Sequence, residues 1–296
     1  MTYFTYRKLK NYLFHVLLAL SAVIVLAPLF LVFQYVFVMG ATSLSWDFFT
    51  QLPAPVGETG GGMKHAILGT LYMVALSAVI SVPIGVFCGI YLAEYGKGKL
   101  ASLLRFSIDL LTGVPSIVIG IFAYILVVVP LKSFSALAGA FALSIIILPI
   151  VTRSSEEILK LVPQHIREAG LALGLPRWKV TYFIIVKGNL SGLVTGIMLA
   201  ISRAAGETAP LLFTAFGSNF VNLQPTAPMA SLPVQIYTYA ISPFEDWQRQ
   251  AWAGAFVLIC LVLGLNLAAR LMINGRKLKR KLEKRKAFKA QREESL

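Results

Sequence analysis

Arg203 and Glu207 stand four residues apart in LAISRAAGETAPLLF, inside an apolar run that extends from 192 to 216. A charge at the centre of a bilayer costs at least ~2.5–3.5 kcal/mol on insertion scales, so charges kept there are paired or functional. Two chemistries suit this spacing. Residues i and i+4 share one face of a helix, so the pair can neutralise itself and fix helix packing. The guanidinium can instead contact an anionic cargo, because its planar fork offers paired hydrogen bonds to oxyanions.

The surrounding helix must position those charges. Gly188, Gly192, Gly196, Ala200 and Ala204 recur every four residues and form one small-residue stripe. Such stripes let membrane helices approach closely. Ser191, Thr195, Arg203 and Glu207 fall on the adjacent row, so the charged pair is expected beside a helix–helix interface that excludes lipid. Pro210 cannot donate to the carbonyl of Gly206 and its ring crowds that group, which permits a kink one turn beyond the charges.

Composition sets the class. The chain has 296 residues, 57% hydrophobic and 14% charged, with a mean hydropathy of +0.75. A soluble domain carries roughly 25% charged residues, so this is an integral membrane protein, all-α in fold. Six stretches reach the roughly 17–25 apolar residues needed to span a bilayer: 13–39, 66–93, 103–129, 136–151, 192–216 and 251–271, the fourth being the shortest. The first is too long for the apolar region of a signal peptide and reads as a retained anchor. Lys and Arg number 3, 3, 6 and 11 in the N-terminus, second loop, fourth loop and tail, but only one each in the first, third and fifth loops. The positive-inside rule then places both termini in the cytoplasm.

These elements divide the chain into an N-terminal anchor helix with the first external loop (1–65), a core (66–271) with a cytoplasmic loop at about 152–190, and a basic tail (272–296). The net charge of +14 is concentrated at the end, where 270–296 carries eleven Lys/Arg and three acids. That suits an anionic lipid leaflet. Aromatic interleaving is almost absent, which argues against nucleic acid. GETGGGMK in the first external loop lacks the G-K-[ST] ending of a phosphate-binding loop, since Met63 and Lys64 follow Gly62. Cys88 and Cys260 lie in apolar runs, and His15, His65 and His165 are far apart, so no metal site is indicated. The fifth loop, 217–250, is aromatic and amphipathic and is expected to lie at the interface.

The fourth loop reads SSEEILKLVPQHIREAGLALGLPRWKVTYFIIVKGN. Pro163 can open a helix. Ile166, Ala169, Gly170 and Leu173 then share one face. Gly174 is placed to end that helix in a left-handed conformation, and Pro176 to open a second helix carrying Trp178.

This loop resembles the E-A-A-x3-G-x9-I-x-L-P motif of ABC importer permeases. Glu168, Ala169 and Gly170 occupy the E-A-A positions, Gly174 the glycine and Ile184 the isoleucine; Val186 and Lys187 replace the final L-P. GVPSIVIGIFA (113–123), SRAAGETAPLLFTAFG (202–217) and SLPVQIYTYAISP (231–243) are similar to phosphate-specific permeases of the PstA type. The resemblance implies a type I ABC importer permease with the MetI-like fold. It also implies a PstC-type permease partner, two copies of a PstB-type ATPase and an external PstS-type binding protein. Glu168, Ala169, Gly170 and Gly174 would contact the ATPase, and Arg203 and Glu207 would line the substrate pathway. No Walker motif is present, so the chain is expected to be no enzyme and to hold no cofactor, with ATP and Mg on the ATPase. The implied location is a bacterial or archaeal cytoplasmic membrane.

Within that resemblance, Glu207 beside an anion is unfavourable unless it accepts a hydrogen bond. Phosphate near neutral pH keeps a proton to donate, and sulfate keeps none. Arg105 and Asp109 form another i, i+4 pair, read mainly as structural, with Asp109 as a gate residue in the competing view; Thr112, Pro115 and Ser116 nearby could line a pathway or mark a packed kink. Two other functions fit the midplane charges. A secondary transporter should show a repeated hydrophobic pattern with its own broken helices, and only one E-A-A segment and one R-x-x-x-E span are found. The second alternative is an ABC permease for another oxyanion, such as phosphonate or molybdate.

Overall fold

The computed structural model describes the backbone of residues 3–294 and the side chains of residues 3–271, so the side chains expected to make the tail basic lie outside the described residues. Thirteen α-helices and three π-helical segments make up the fold, and no strand occurs among the described residues. α1 (Tyr3–Thr42) is followed by the short α2 (Trp46–Thr50). α3 (Lys64–Ile90) runs on through a π-helical turn, Tyr91–Tyr95. α4 is Lys99–Gly113, and α5 (Ser116–Ala123) continues through a second π-helical turn, Tyr124–Val128, into α6 (Val129–Leu131). α7 is Ala136–Lys160, α8 Gln164–Ala172, and α9 (Arg177–Lys179) leads into a third π-helical segment, Val180–Val186. α10 (Leu190–Ala205), α11 (Ala209–Thr214), α12 (Leu232–Ala240) and α13 (Glu245–Glu294) complete the order.

Four helices are long and apolar enough to cross a membrane, and six spans result when each of two bent pairs is taken as one. α7 is at the centre, packed on by α3, α4, α5, α10 and α11. Over 136–151 it is apolar or small all round, the pattern of a helix inside a bundle. Its start is fixed by Ser135, whose hydroxyl accepts the Ala138 N–H at 3.2 Å. The shortest expected span is thus the best-buried helix, extended beyond 151 to Lys160. Close approach depends on missing side chains: a Cβ on Gly89 would fall 2.5 Å from the Cβ of Ser155.

Two expectations need correction. The run 103–129 is not one straight span, because its two halves meet at 104°. Pro115 disfavours helix at the preceding residue, and Val114 is extended (φ −71°, ψ 131°). The run 192–216 is not continuous either: α10 ends at Ala205, and Gly206, Glu207 and Thr208 intervene before α11. Pro210 sits at the start of α11, where a missing N–H costs nothing, and does not kink a longer helix. The fifth loop packs one face inward. α12 buries Leu232, Val234 and Tyr239 against α3 and α13, and Tyr239 stacks on Trp247 with ring centroids 4.5 Å apart.

α1 stands apart. It is exposed along its length except at Val36 and Gly40. It meets the bundle through α13, where Tyr35 packs edge-on to Trp252 and Phe37 to Phe256.

Candidate functional site

The small-residue stripe on α10 packs as its spacing predicts. A Cβ on Gly192 would lie 2.9 Å from Ile158, and one on Gly196 would lie 2.6 Å from the hydroxyl of Ser154; Ala200 and Ala204 are buried. Gly188 is the exception, standing before α10 with open space around it. Asn266 on α13 donates to the Ser202 hydroxyl at 2.7 Å and holds the other side of α10.

Arg203 therefore sits in the last turn of a firmly packed helix, and the chain breaks immediately after it. The Gly206 N–H donates to the Arg203 carbonyl at 3.1 Å, and the Glu207 N–H to the Ala204 carbonyl at 3.2 Å. Arg203 Nε and Glu207 Oε1 are 3.6 Å apart, with the Arg203 side chain 58% exposed and that of Glu207 16%. The guanidinium thus faces open space while the carboxylate is tucked behind it. At 3.6 Å the contact is an ion pair without a full hydrogen bond. The cation lies at a helix C-terminus, where the unpaired carbonyls favour it. Irregular backbone at membrane depth is tolerated only inside protein or beside a water-filled cavity. The break is braced from across the bundle, because Gly120 on α5 sits against buried Pro210, leaving only 2.6 Å between an added Cβ and its Cα.

The second expected site is the cytoplasmic loop. α8 starts one residue after Pro163, and Gly174 takes φ +79°, the left-handed region a side chain resists. Gly170 is buried against Val180 and Ile184, which explains a glycine at the third E-A-A position. Glu168 and Ala169 are exposed. The expected apolar face divides: Gly170 packs inward, whereas Ile166, Ala169 and Leu173 stay exposed, Leu173 at 81%. The chain turned back at Gly174 covers only the Gly170 side.

The strongest contact of this loop is not local in sequence. Arg167 Nη2 and Nε donate to the Glu94 carboxylate at 2.7 and 3.1 Å, and the same guanidinium donates to the carbonyls of Leu159 (2.9 Å) and Val162. Arg167 thus ties α8 to the end of α3, across 73 positions of sequence. The basic and acidic composition of the loop showed candidates for pairing but not the partner.

Arg105 and Asp109 do not pair with one another. Arg105 Nε donates to Glu156 Oε1 at 2.7 Å and its Nη2 to the Leu92 carbonyl at 2.8 Å. Asp109 faces Arg153 at 3.6 Å, and Arg153 Nε donates to Glu157 at 2.7 Å. The reason is burial: Glu156 is 2% exposed and also accepts from Lys160 at 2.5 Å. An uncompensated buried carboxylate is strongly destabilising, so the side chains of α4 reach across to α7.

The family described as "Binding-protein-dependent transport system inner membrane component" matches residues 81–275. "Phosphate transport system permease protein PstA" of Yersinia pestis is 43% identical over 276 residues, covering 92% of each chain. The protein of that name from Pasteurella multocida is 44% identical and covers 91% of this chain and 96% of its own. The chain belongs to the PstA permease family. Among solved structures, the MetNI methionine ABC transporter in inward-facing conformations shares the fold. The TM-score is 0.57 at 19% identity, over 72% of this chain and 96% of that one. The permease is therefore a multi-pass membrane component of a transport system, with the MetI-like fold. A permease of this kind works with an ATPase and a substrate-binding protein. Its α10–α11 break and its α8 loop both fall within the matched region.

Proposed function

We propose that this chain forms part of the transmembrane pathway of an ATP-driven phosphate importer, with residues 66–271 as its permease core. The observation that carries the reading is the half-free Arg203 guanidinium at the α10–α11 break, paired only loosely with Glu207. Phosphate can displace the 3.6 Å contact because bidentate guanidinium–oxyanion hydrogen bonds are stronger. Glu207 then accepts a hydrogen bond from the proton that phosphate retains, which favours phosphate over sulfate. The high identity to PstA proteins along the chain supports the same substrate.

The proposed assembly pairs this chain with a PstC-type permease, two PstB-type ATPases carrying ATP and Mg, and an external PstS-type binding protein. The chain itself holds no cofactor. It lies in a bacterial or archaeal cytoplasmic membrane with both termini in the cytoplasm. The exposed Glu168, Ala169 and Leu173 side of α8 offers the ATPase a contact, with Gly170 and Gly174 setting its shape.

Movement of α8 has a physical route to the break. Arg167 links α8 to Glu94, Arg105 links the Leu92 carbonyl and Glu156 to α4, α4 bends into α5, and α5 braces α11 at Pro210. The test is reconstitution. The complex purified in mild detergent should retain an ATPase, and its proteoliposomes should take up phosphate only with ATP and the binding protein. Uptake of phosphonate or molybdate with no phosphate uptake would overturn the substrate, and full uptake without an ATPase would overturn the class.

A further inference from the structure

A cavity of about 370 Å³ lies between the end of α3 and the coupling loop, away from Arg203. Two of its walls are π-helical: Ala93, Glu94 and Tyr95 belong to one segment, Val180 and Thr181 to another. π-Helical turns are rare and concentrate at functional sites. The Tyr95 and Thr181 hydroxyls meet across the cavity at 3.3 Å.

The charges around it are unequally used. Arg167 is taken by Glu94, and Lys160 shares Glu156 with Arg105. Lys97 and Arg177 also line the cavity, are exposed, and have no carboxylate partner among the described residues. Glu168 is the lining carboxylate that remains unpaired among the described residues. Two free cations against one free carboxylate leave the cavity positive. A divalent cation would find only Glu168 unengaged, whereas an oxyanion finds a guanidinium, an ammonium and the one hydroxyl proton that the Tyr95–Thr181 hydrogen bond leaves over.

We propose that this cavity binds a phosphate group, supplied either by an anionic lipid headgroup or by inorganic phosphate on the same side as α8. Arg177 contributes the planar fork and Lys97 the point charge, while the hydrogen-bonded Tyr95–Thr181 pair donates its remaining hydroxyl proton. The volume is at the small end of ligand pockets, which suits a headgroup or a small anion. Basic pockets between helices at the cytoplasmic surface favour such headgroups. The bound group joins the α3–α4 connection, through Lys97, to the start of α9, through Arg177. It therefore closes the same gap that the Arg167–Glu94 pair spans, and it fastens the coupling loop to the bundle. This inference does not depend on the cargo at Arg203.

The experiment follows hydrogen exchange over residues 160–186 in the purified transporter complex. One set uses nanodiscs of phosphatidylcholine with inorganic phosphate added; the other uses phosphatidylcholine–phosphatidylglycerol nanodiscs without phosphate. Slower exchange in the first set identifies free phosphate as the source, and in the second set a lipid headgroup. In either case Lys97→Gln with Arg177→Gln should abolish the protection or require at least about tenfold more ligand, the least loss expected for charge-assisted hydrogen bonds. Arg203→Gln should leave the protection intact, which separates this site from the pathway. No protection in either set, or protection unchanged in the Lys97/Arg177 double variant, would overturn the proposal.

Discussion

Neutralising Arg203 and Glu207 singly and together separates a packing role from contact with cargo. Two unit charges 3.6 Å apart attract by about 4.6 kcal/mol at an effective dielectric of 20 and about 1.2 kcal/mol in bulk water. The guanidinium side chain is 58% exposed, so the pair lies towards the watery limit. Once the ordering of both side chains is counted, a net of roughly 0–1 kcal/mol remains. Arg203→Gln and Glu207→Gln should therefore assemble nearly as well as the parent. Their coupling energy for assembly in a double-mutant cycle should stay below about 1 kcal/mol. Uptake should behave differently. A hydrogen bond to a charged group contributes about 1.5–3 kcal/mol, which is about 10- to 150-fold in an equilibrium or rate. Arg203→Gln should lose that much phosphate uptake in proteoliposomes, and the double variant should not recover it. Arg203→Lys should also be impaired, since it keeps the charge without the fork. Assembly is read by size-exclusion chromatography and uptake with labelled phosphate. Single variants that fail to assemble, together with a double variant that regains both assembly and uptake, would refute the cargo contact and leave packing as the explanation.

Gly196→Leu should prevent assembly, because its Cβ would stand 2.6 Å from the Ser154 hydroxyl; Ser154→Gly should restore part of the yield, and a normal yield for Gly196→Leu alone would show that α10 does not need this contact. Glu94→Gln should loosen α8, since breaking a buried ion pair costs about 3–5 kcal/mol and the partial exposure of Arg167 places this one at or below the lower end. Faster hydrogen exchange over 164–172 with ATP hydrolysis no longer matched to uptake is expected, and unchanged exchange would remove Arg167–Glu94 as the tether. In a Cys88→Ala/Cys260→Ala background, a cysteine at exposed Thr226 should react with an impermeant thiol reagent from outside, and one at exposed Gln164 only after the membrane is breached; the opposite pattern would invert the topology.

The amino-acid sequence alone determined those features that repeat locally. Hydropathy located the apolar runs, and small residues at every fourth position identified the face of α10 that meets α7, at Gly192, Gly196, Ala200 and Ala204. Gly174 marked its own left-handed turn, because few other residues accept φ +79°. The spacing of Glu168, Ala169, Gly170 and Gly174 marked a short helix closed by a glycine turn before any contact was known. Only the tertiary structure decided where the helices stop and which charges meet. The apolar runs continue on both sides of Val114 and of Gly206–Thr208, so hydropathy sets no helix end at either place; the extended Val114 before Pro115 and the packing of Pro210 on Gly120 do. Arg105 and Asp109 have the spacing of a helical pair, but the buried Glu156 draws Arg105 to α7 and leaves Asp109 facing Arg153. Arg167 finds Glu94 across 73 positions, a distance over which one sequence carries no pairing signal. Ion pairs are selected by burial and reach, and both are properties of helix packing.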